Sequence, residues 1–189
     1  LQRGYDMLIH DMALQHLHVV LGVDRAGLVG DDGETHQGLF DVAYLSTVPG
    51  ITVLAPASFS ELRAMLRYAV LELDGPVALR YPRGGENGYS GNQCGLPCSV
   101  LREGRDLTAI CYGTMTGEVL SAAQRLAEEG VQVEVIKLNQ LVPLVPELAL
   151  QSVRKTRRLL VAEEVVVAGS IGTTLSARIE EAGLPLQKL

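Results

Sequence analysis

Tryptophan is absent from this sequence, and aromatic residues make up only 4% of it. A base-stacking platform or an aromatic cage needs several rings, so the composition argues against both. Positive charge is in deficit. Sixteen Lys and Arg face 22 Asp and Glu over 189 residues, a net charge of −6, with a pI of about 5.2. That balance speaks against a nucleic-acid binder or a polybasic membrane sensor. No apolar run approaches the ~18 residues of a membrane-spanning helix, and no signal or lipidation motif is visible. Cysteine is scarce: Cys94, Cys98 and Cys111 form an odd count without metal-ligand spacing, which reads as reduced thiols in a cytoplasmic protein. The chain also opens on Leu1-Gln2-Arg3-Gly4-Tyr5 rather than Met, already inside a helical pattern, and so reads as part of a longer protein.

What is abundant is aliphatic. The hydrophobic fraction is 47% and the mean hydropathy +0.19, enough for a sizeable core and too much for disorder. Leu1, Tyr5, Leu8 and Met12 fall at helical spacing. The nearly continuous apolar runs 17–23, 51–55 and 77–81 predict buried parallel strands. Between the last two, Ser58 and Glu61 form a capping box ahead of an amphipathic helix through Leu73. Residues 82–97 carry five glycines and two prolines and read as an interdomain linker. The alternation then restarts, with strands at 107–112, 131–136 and 159–162 and helices at 117–129, 143–153 and 173–182. Polar alternation in 131–136 suggests a position near a sheet edge. Arg154, Lys155, Arg157 and Arg158 cluster where positive charge suits a helix C-terminus. The expected fold is α/β, with two layered domains built on mainly parallel sheets: residues 1–90, a linker at 91–99, and residues 100–189.

Ligands of open α/β sheets sit beyond the carboxyl ends of the strands. Past Val23 the chain runs Asp24-Arg25-Ala26-Gly27-Leu28-Val29-Gly30-Asp31-Asp32-Gly33-Glu34-Thr35-His36-Gln37-Gly38. Four glycines free the backbone among an Arg, several carboxylates, a Thr and a His. Bland readings stand beside the functional one. Arg25 could pair with Asp24 or Asp31, His36 could be structural, and Asp32-Gly33 could be a turn. Arg83 lies just past another strand end, so Arg25 and Arg83 could clamp a phosphate. The residues alone give an anionic small-molecule site with one titratable His.

The sequence resembles the 1-deoxy-D-xylulose-5-phosphate synthases of the thiamine-diphosphate-dependent transketolase superfamily. The resemblance rests on Leu1-Gln2-Arg3-Gly4-Tyr5-Asp6, Asp24-Arg25-Ala26-Gly27-Leu28-Val29-Gly30, Asp32-Gly33-Glu34-Thr35-His36-Gln37-Gly38 and Arg80-Tyr81-Pro82-Arg83-Gly84. It implies the later part of a pyrimidine-binding domain over 1–90 and a truncated transketolase C-terminal domain over 100–189. It also implies a reaction: pyruvate and D-glyceraldehyde 3-phosphate condense with loss of CO2, feeding isoprenoid, thiamine and pyridoxal synthesis. Carried over by position, His36 orients substrate and moves a proton, Arg25 and Arg83 hold the acceptor phosphate, Asp32 binds its hydroxyl, and Arg3 lines the site. The implied thiamine diphosphate and Mg2+ bind through motifs outside this sequence, so no cofactor or metal residue is assigned here and the chain alone is expected to be inactive. A homodimer is implied, with no nucleic-acid or membrane partner. The alternatives are a β-type half of a split transketolase or 2-oxoacid dehydrogenase, or a non-catalytic dimerisation module.

Overall fold

A computed structural model describes residues 2–33 and 35–187, without the side chains of Gln2 and Asp32. The N-terminal helical stretch is irregular: a 3-10 turn (Gln2–Gly4), one α turn (α1, Tyr5–Met7) and a wider π segment (Leu8–Ala13). Leu8, Met12 and Ala13 are its buried side. Strands β1 (Val20–Val23), β2 (Thr52–Leu54) and β3 (Val77–Arg80) follow the expected apolar runs. The short helix α2 (Asp41–Leu45) and the long helix α3 (Phe59–Leu71) lie between them. In the second half come β4 (Cys98–Arg102), β5 (Leu107–Cys111), α4 (Met115–Glu128), β6 (Val133–Leu138), β7 (Gln140–Val142), α5 (Glu147–Thr156), β8 (Leu159–Ala162) and α6 (Ile171–Glu181).

Two four-stranded sheets result, ordered β1-β3-β2-β7 and β4-β6-β5-β8. Each has three parallel strands and one antiparallel edge: β7 against β2 in the first, β4 against β6 in the second. Strand β7 comes from the second half of the chain yet completes the first sheet. The two halves also share one core. Val23, Leu45, Ile51 and Val53 from the first half pack in the same cluster as Ile110, Ile136, Leu138, Leu141 and Leu175 from the second. Each such side chain, fully buried, is worth ~1.5–3 kcal/mol, so the halves stabilise each other directly. Among the described residues no helix is long and apolar enough to cross a membrane.

The capping box at Ser58 forms, with a shift. Ser58 Oγ accepts from Glu61 N at 3.0 Å, while the Glu61 carboxylate takes the N–H of Ala57 at 2.8 Å instead of that of Ser58. Glu61 has further duties. Its side chain is fully buried and meets Lys137 Nζ of β6 at 2.9 Å, itself fully buried. Tyr89 Oη and Gln93 N donate to the same carboxylate, each at 3.1 Å. Lys137 also donates to Asn139 Oδ1, and Asn139 donates to Leu96 O at 2.9 Å. The glycine-rich segment read as a linker is therefore stapled to α3 and to the β6–β7 connection, and its last stretch enters β4 at Cys98. The same pairing corrects the edge reading of 131–136. All six residues of β6 are buried, and the strand lies between β4 and β5. Its polar residues face partners, not water: Lys137 meets Glu61, and Glu134 meets Lys155 and Gly104 N.

Burial pushes the Lys137 ammonium below the usual lysine range, against the pull of Glu61. Removing one member of such a pair strands the other charge and costs ~3–5 kcal/mol. Lys137→Met should therefore lose about 3–5 kcal/mol in urea unfolding, and Lys137→Met with Glu61→Gln should regain about half of it or more. A single-variant loss below ~1 kcal/mol would show that the pair is not desolvated. A second expectation concerns Cys111, whose thiol burial pushes up to about 12. Iodoacetamide at pH 8 should leave Cys111 unmodified in the native protein and label it in denaturant; native labelling would contradict its burial.

Candidate active site

Strands β1 and β3 are parallel neighbours, with Val23 opposite Arg80. Their carboxyl ends therefore open on the same side, and the loop from Asp24 to Phe40 folds over that end. Ala26 N donates to Tyr81 O at 3.0 Å, tying the loop to the end of β3. Gly27 and Gly38 then exchange two backbone hydrogen bonds, each at 3.0 Å. Both positions require glycine. Gly27 sits at φ +83, with the Glu164 carboxylate where a Cβ would go, and a Cβ on Gly38 would lie 2.2 Å from Arg25 O. Gln37 braces the loop from inside: Oε1 accepts from Val29 N at 2.6 Å, and Nε2 donates to Val29 O and Gly33 O.

This folding gathers Arg3, Arg25 and His36 around one cavity of about 570 Å³, whose wall also includes Asp24, Asp41 and Tyr44. Arg3 arrives from the N-terminal 3-10 turn. Arg25 adopts a left-handed backbone, φ 58, and its guanidinium stands 3.7 Å from Asp24, so the bland pairing and the cavity position coexist. His36 Nδ1 lies 2.8 Å from Thr35 Oγ1. Asp32 ends the 3-10 turn Gly30–Asp32, and its side chain lies outside the described residues. Arg83 is exposed on the turn after β3 and does not belong to this wall. Its turn instead borders a second, more apolar cavity of about 220 Å³ with Phe59, Leu62, Tyr81, Pro82 and Thr114.

Asp41 and Tyr44 are site residues that sequence reasoning missed. Asp41 opens α2 and accepts from buried Arg80 Nε at 2.8 Å; its other oxygen takes Val42 N at 2.9 Å. Tyr44 follows one turn later, its ring edge-on to Tyr5 at 6.0 Å. Burial, with Asp41 adding and Arg80 opposing, pushes its phenol up to about 12, so Tyr44 is a neutral hydrogen-bonding group at the wall. The available signal was the spacing of Asp41 and Tyr44 on one face of a short helix. The wall thus offers two guanidiniums, one imidazole and one neutral phenol, beside two carboxylates that are each paired with an arginine. Such a set binds a small anion and can hold or move a proton beside it. Among the described residues no group of three or more His, Cys, Asp or Glu could hold a metal ion.

Residues 1–86 match the family model of the transketolase pyrimidine-binding domain, and residues 97–187 that of the transketolase C-terminal domain. The chain is 42% identical over 188 residues to the 1-deoxy-D-xylulose-5-phosphate synthase of Desulfitobacterium hafniense, covering 97% of itself and 30% of that protein. It is 43% identical over 192 residues to the 1-deoxy-D-xylulose-5-phosphate synthase 1 of Geobacter metallireducens, with the same coverage. It spans about 30% of the length of the curated relatives it matches. Among solved structures, a split-gene transketolase described as an inactive β4 tetramer superposes with a TM-score of 0.86 at 30% identity, covering 97% of this chain and 61% of that one. A transketolase variant from Pichia stipitis in complex with fructose 6-phosphate superposes at 0.69 and 20% identity, covering 83% and 25%, a likeness of fold alone. With both of its halves matched in order to transketolase domains, the chain belongs to the transketolase family.

Proposed function

We propose that this chain is the acceptor-binding portion of a 1-deoxy-D-xylulose-5-phosphate synthase, acting on pyruvate and D-glyceraldehyde 3-phosphate. The observation that carries the reading is the meeting of Arg3, Arg25 and His36 in one cavity at the carboxyl ends of β1 and β3. Support comes from relatives of that name at 42–43% identity. Arg25 and Arg3 hold the acceptor phosphate, because guanidiniums bind phosphate in a fork. His36 orients the acceptor and transfers a proton at its carbonyl, a role worth about 10²–10⁴ in rate. Asp32 and Arg83 enter from the family resemblance alone, Asp32 toward the acceptor hydroxyl and Arg83, which stands outside the cavity wall, as a further phosphate ligand reaching in from the turn after β3.

Thiamine diphosphate is the cofactor that the family implies. Among the described residues no group of three or more His, Cys, Asp or Glu stands together to hold a metal ion, and none of them is assigned here to the cofactor's diphosphate or its metal. In this reading thiamine diphosphate and Mg2+ are held by other parts of the enzyme, and this chain's residues act on the acceptor. The working form is a homodimer. A second reading, the β-type half of a split transketolase, is favoured by the superposition on the split-gene protein. The two differ in donor: pyruvate for the first, a ketose phosphate for the second.

The test is a chimera in which this chain replaces the matching 30% of the Desulfitobacterium hafniense synthase. With thiamine diphosphate, Mg2+, pyruvate and D-glyceraldehyde 3-phosphate it should release CO2 and form product, and the chain by itself should not. Arg25→Ala should raise the KM for the phosphorylated acceptor about 10- to 100-fold, the equivalent of a lost charge-assisted bond, and leave the KM for pyruvate nearly unchanged. His36→Asn should lower kcat about 100-fold or more. Equal KM effects on both substrates would refute the phosphate role, and turnover of a ketose phosphate in place of pyruvate would establish the second reading.

A further inference from the structure

We infer that Arg80, which does not line the cavity, is the positioning residue that sets its shape and couples it to the second half of the chain. Arg80 is the last residue of β3, and its side chain is 5% exposed. One guanidinium meets four partners. Nε donates to Asp41 Oδ2 at 2.8 Å, and Nη2 donates to Gly38 O at 3.0 Å and to Glu164 O at 3.4 Å. The group also lies over the Tyr112 ring, 5.6 Å from its centroid. Asp41 and Gly38 belong to the site loop and its following helix; Glu164 and Tyr112 belong to the second sheet's strand ends. A planar fork can join such partners at once, and a lysine ammonium with one flexible point of attachment cannot.

The consequence for the cavity follows from Gly38 O. That oxygen accepts from Gly27 N and from Arg80 together. Arg25 stands two residues before Gly27, and His36 two residues before Gly38. Fixing the Gly27–Gly38 pair therefore fixes the separation of the two side chains that face the ligand. The second half holds the same pair from its far side. Thr114 Oγ1 donates to the Glu164 carboxylate at 2.6 Å, the group against which Gly27 rests, and Val166 N donates to Leu39 O at 3.0 Å. Tyr112 Oη donates to Glu163, whose carboxylate also accepts Ile171 N and Gly172 N at the start of α6. The buried cation is thus the joint between a loop that binds and a domain that does not touch the ligand.

The inference concerns the site proposed above, but its primary test does not depend on that proposal. Amide hydrogen exchange of the chain, read by NMR, compares the wild type with Arg80→Lys and with Arg80→Met/Asp41→Asn. The double variant removes the buried charge pair as a unit and so protects the fold against a stranded carboxylate. In both variants the Gly27 and Gly38 amides should exchange about tenfold faster or more, while amides of the β5–β6 ladder stay within about twofold. Inorganic phosphate, titrated in parallel, should bind about tenfold more weakly. Unchanged exchange at both glycines would overturn the inference. So would uniform acceleration across the ladder, since Arg80 would then be a stability element only. If the wild type takes up no phosphate, the phosphate reading of the site fails, and the exchange result still decides the role of Arg80.

Discussion

Two opposite charges withdrawn from water, Glu61 and Lys137, hold the architecture together. Their 2.9 Å contact joins the first turn of α3 to the carboxyl end of β6, and neither side chain is exposed. An apolar core attracts without direction; a buried pair tolerates one arrangement, because any other leaves a charge without a partner. Tyr89 and Gln93 bond to the same carboxylate, so the glycine-rich segment is fixed by the same contact. With the sheets fixed, β7 completes the first sheet from the second half of the chain, and a single apolar cluster runs through both.

The site uses the same device at smaller scale. Arg80 and Asp41 form a second buried pair, 5% exposed on each side, at the foot of the loop that carries Arg25 and His36. Asp41 lines the cavity wall while its partner Arg80 stands behind it, so the carboxylate that faces the cavity is already paired. Burial beside Asp41 pushes the phenol of Tyr44 further into its neutral range. A rigid base and an anion-binding rim suit a small phosphorylated substrate better than a macromolecular partner, in keeping with the acidic, aromatic-poor composition.

Much of this was legible from residue order, and what was not has a common cause. Strands β1, β2, β3, β5 and β8 announce themselves as continuous aliphatic runs, because parallel strands are covered on both faces. Strands β4 and β7 and helix α2 do not. The last two span only three and five residues, and β4 begins at the end of a glycine-rich stretch. Their partners lie far away in sequence, as with Val53 opposite Val142. Strand β6 misled for a related reason: within 131–136, Glu134 looks solvent-facing until its partner, Lys155, comes into view. In the site, Arg3, Arg25 and His36 were found by composition and family resemblance. Asp41 and Arg80 were not assigned roles, because a bond spanning 39 positions leaves no local mark. The basic cluster near 154–158 fell where the helix-end reading put it, with Lys155 in the last turn of α5, bonded to Glu134.

The measurement that bears most directly on this account is a crystal structure of the protein with D-glyceraldehyde 3-phosphate bound. The phosphate should lie within hydrogen-bond distance of Arg25 in the cavity that Arg3 and His36 share, with the aldehyde turned toward His36. A phosphate seated outside that cavity and out of reach of Arg25 would contradict it.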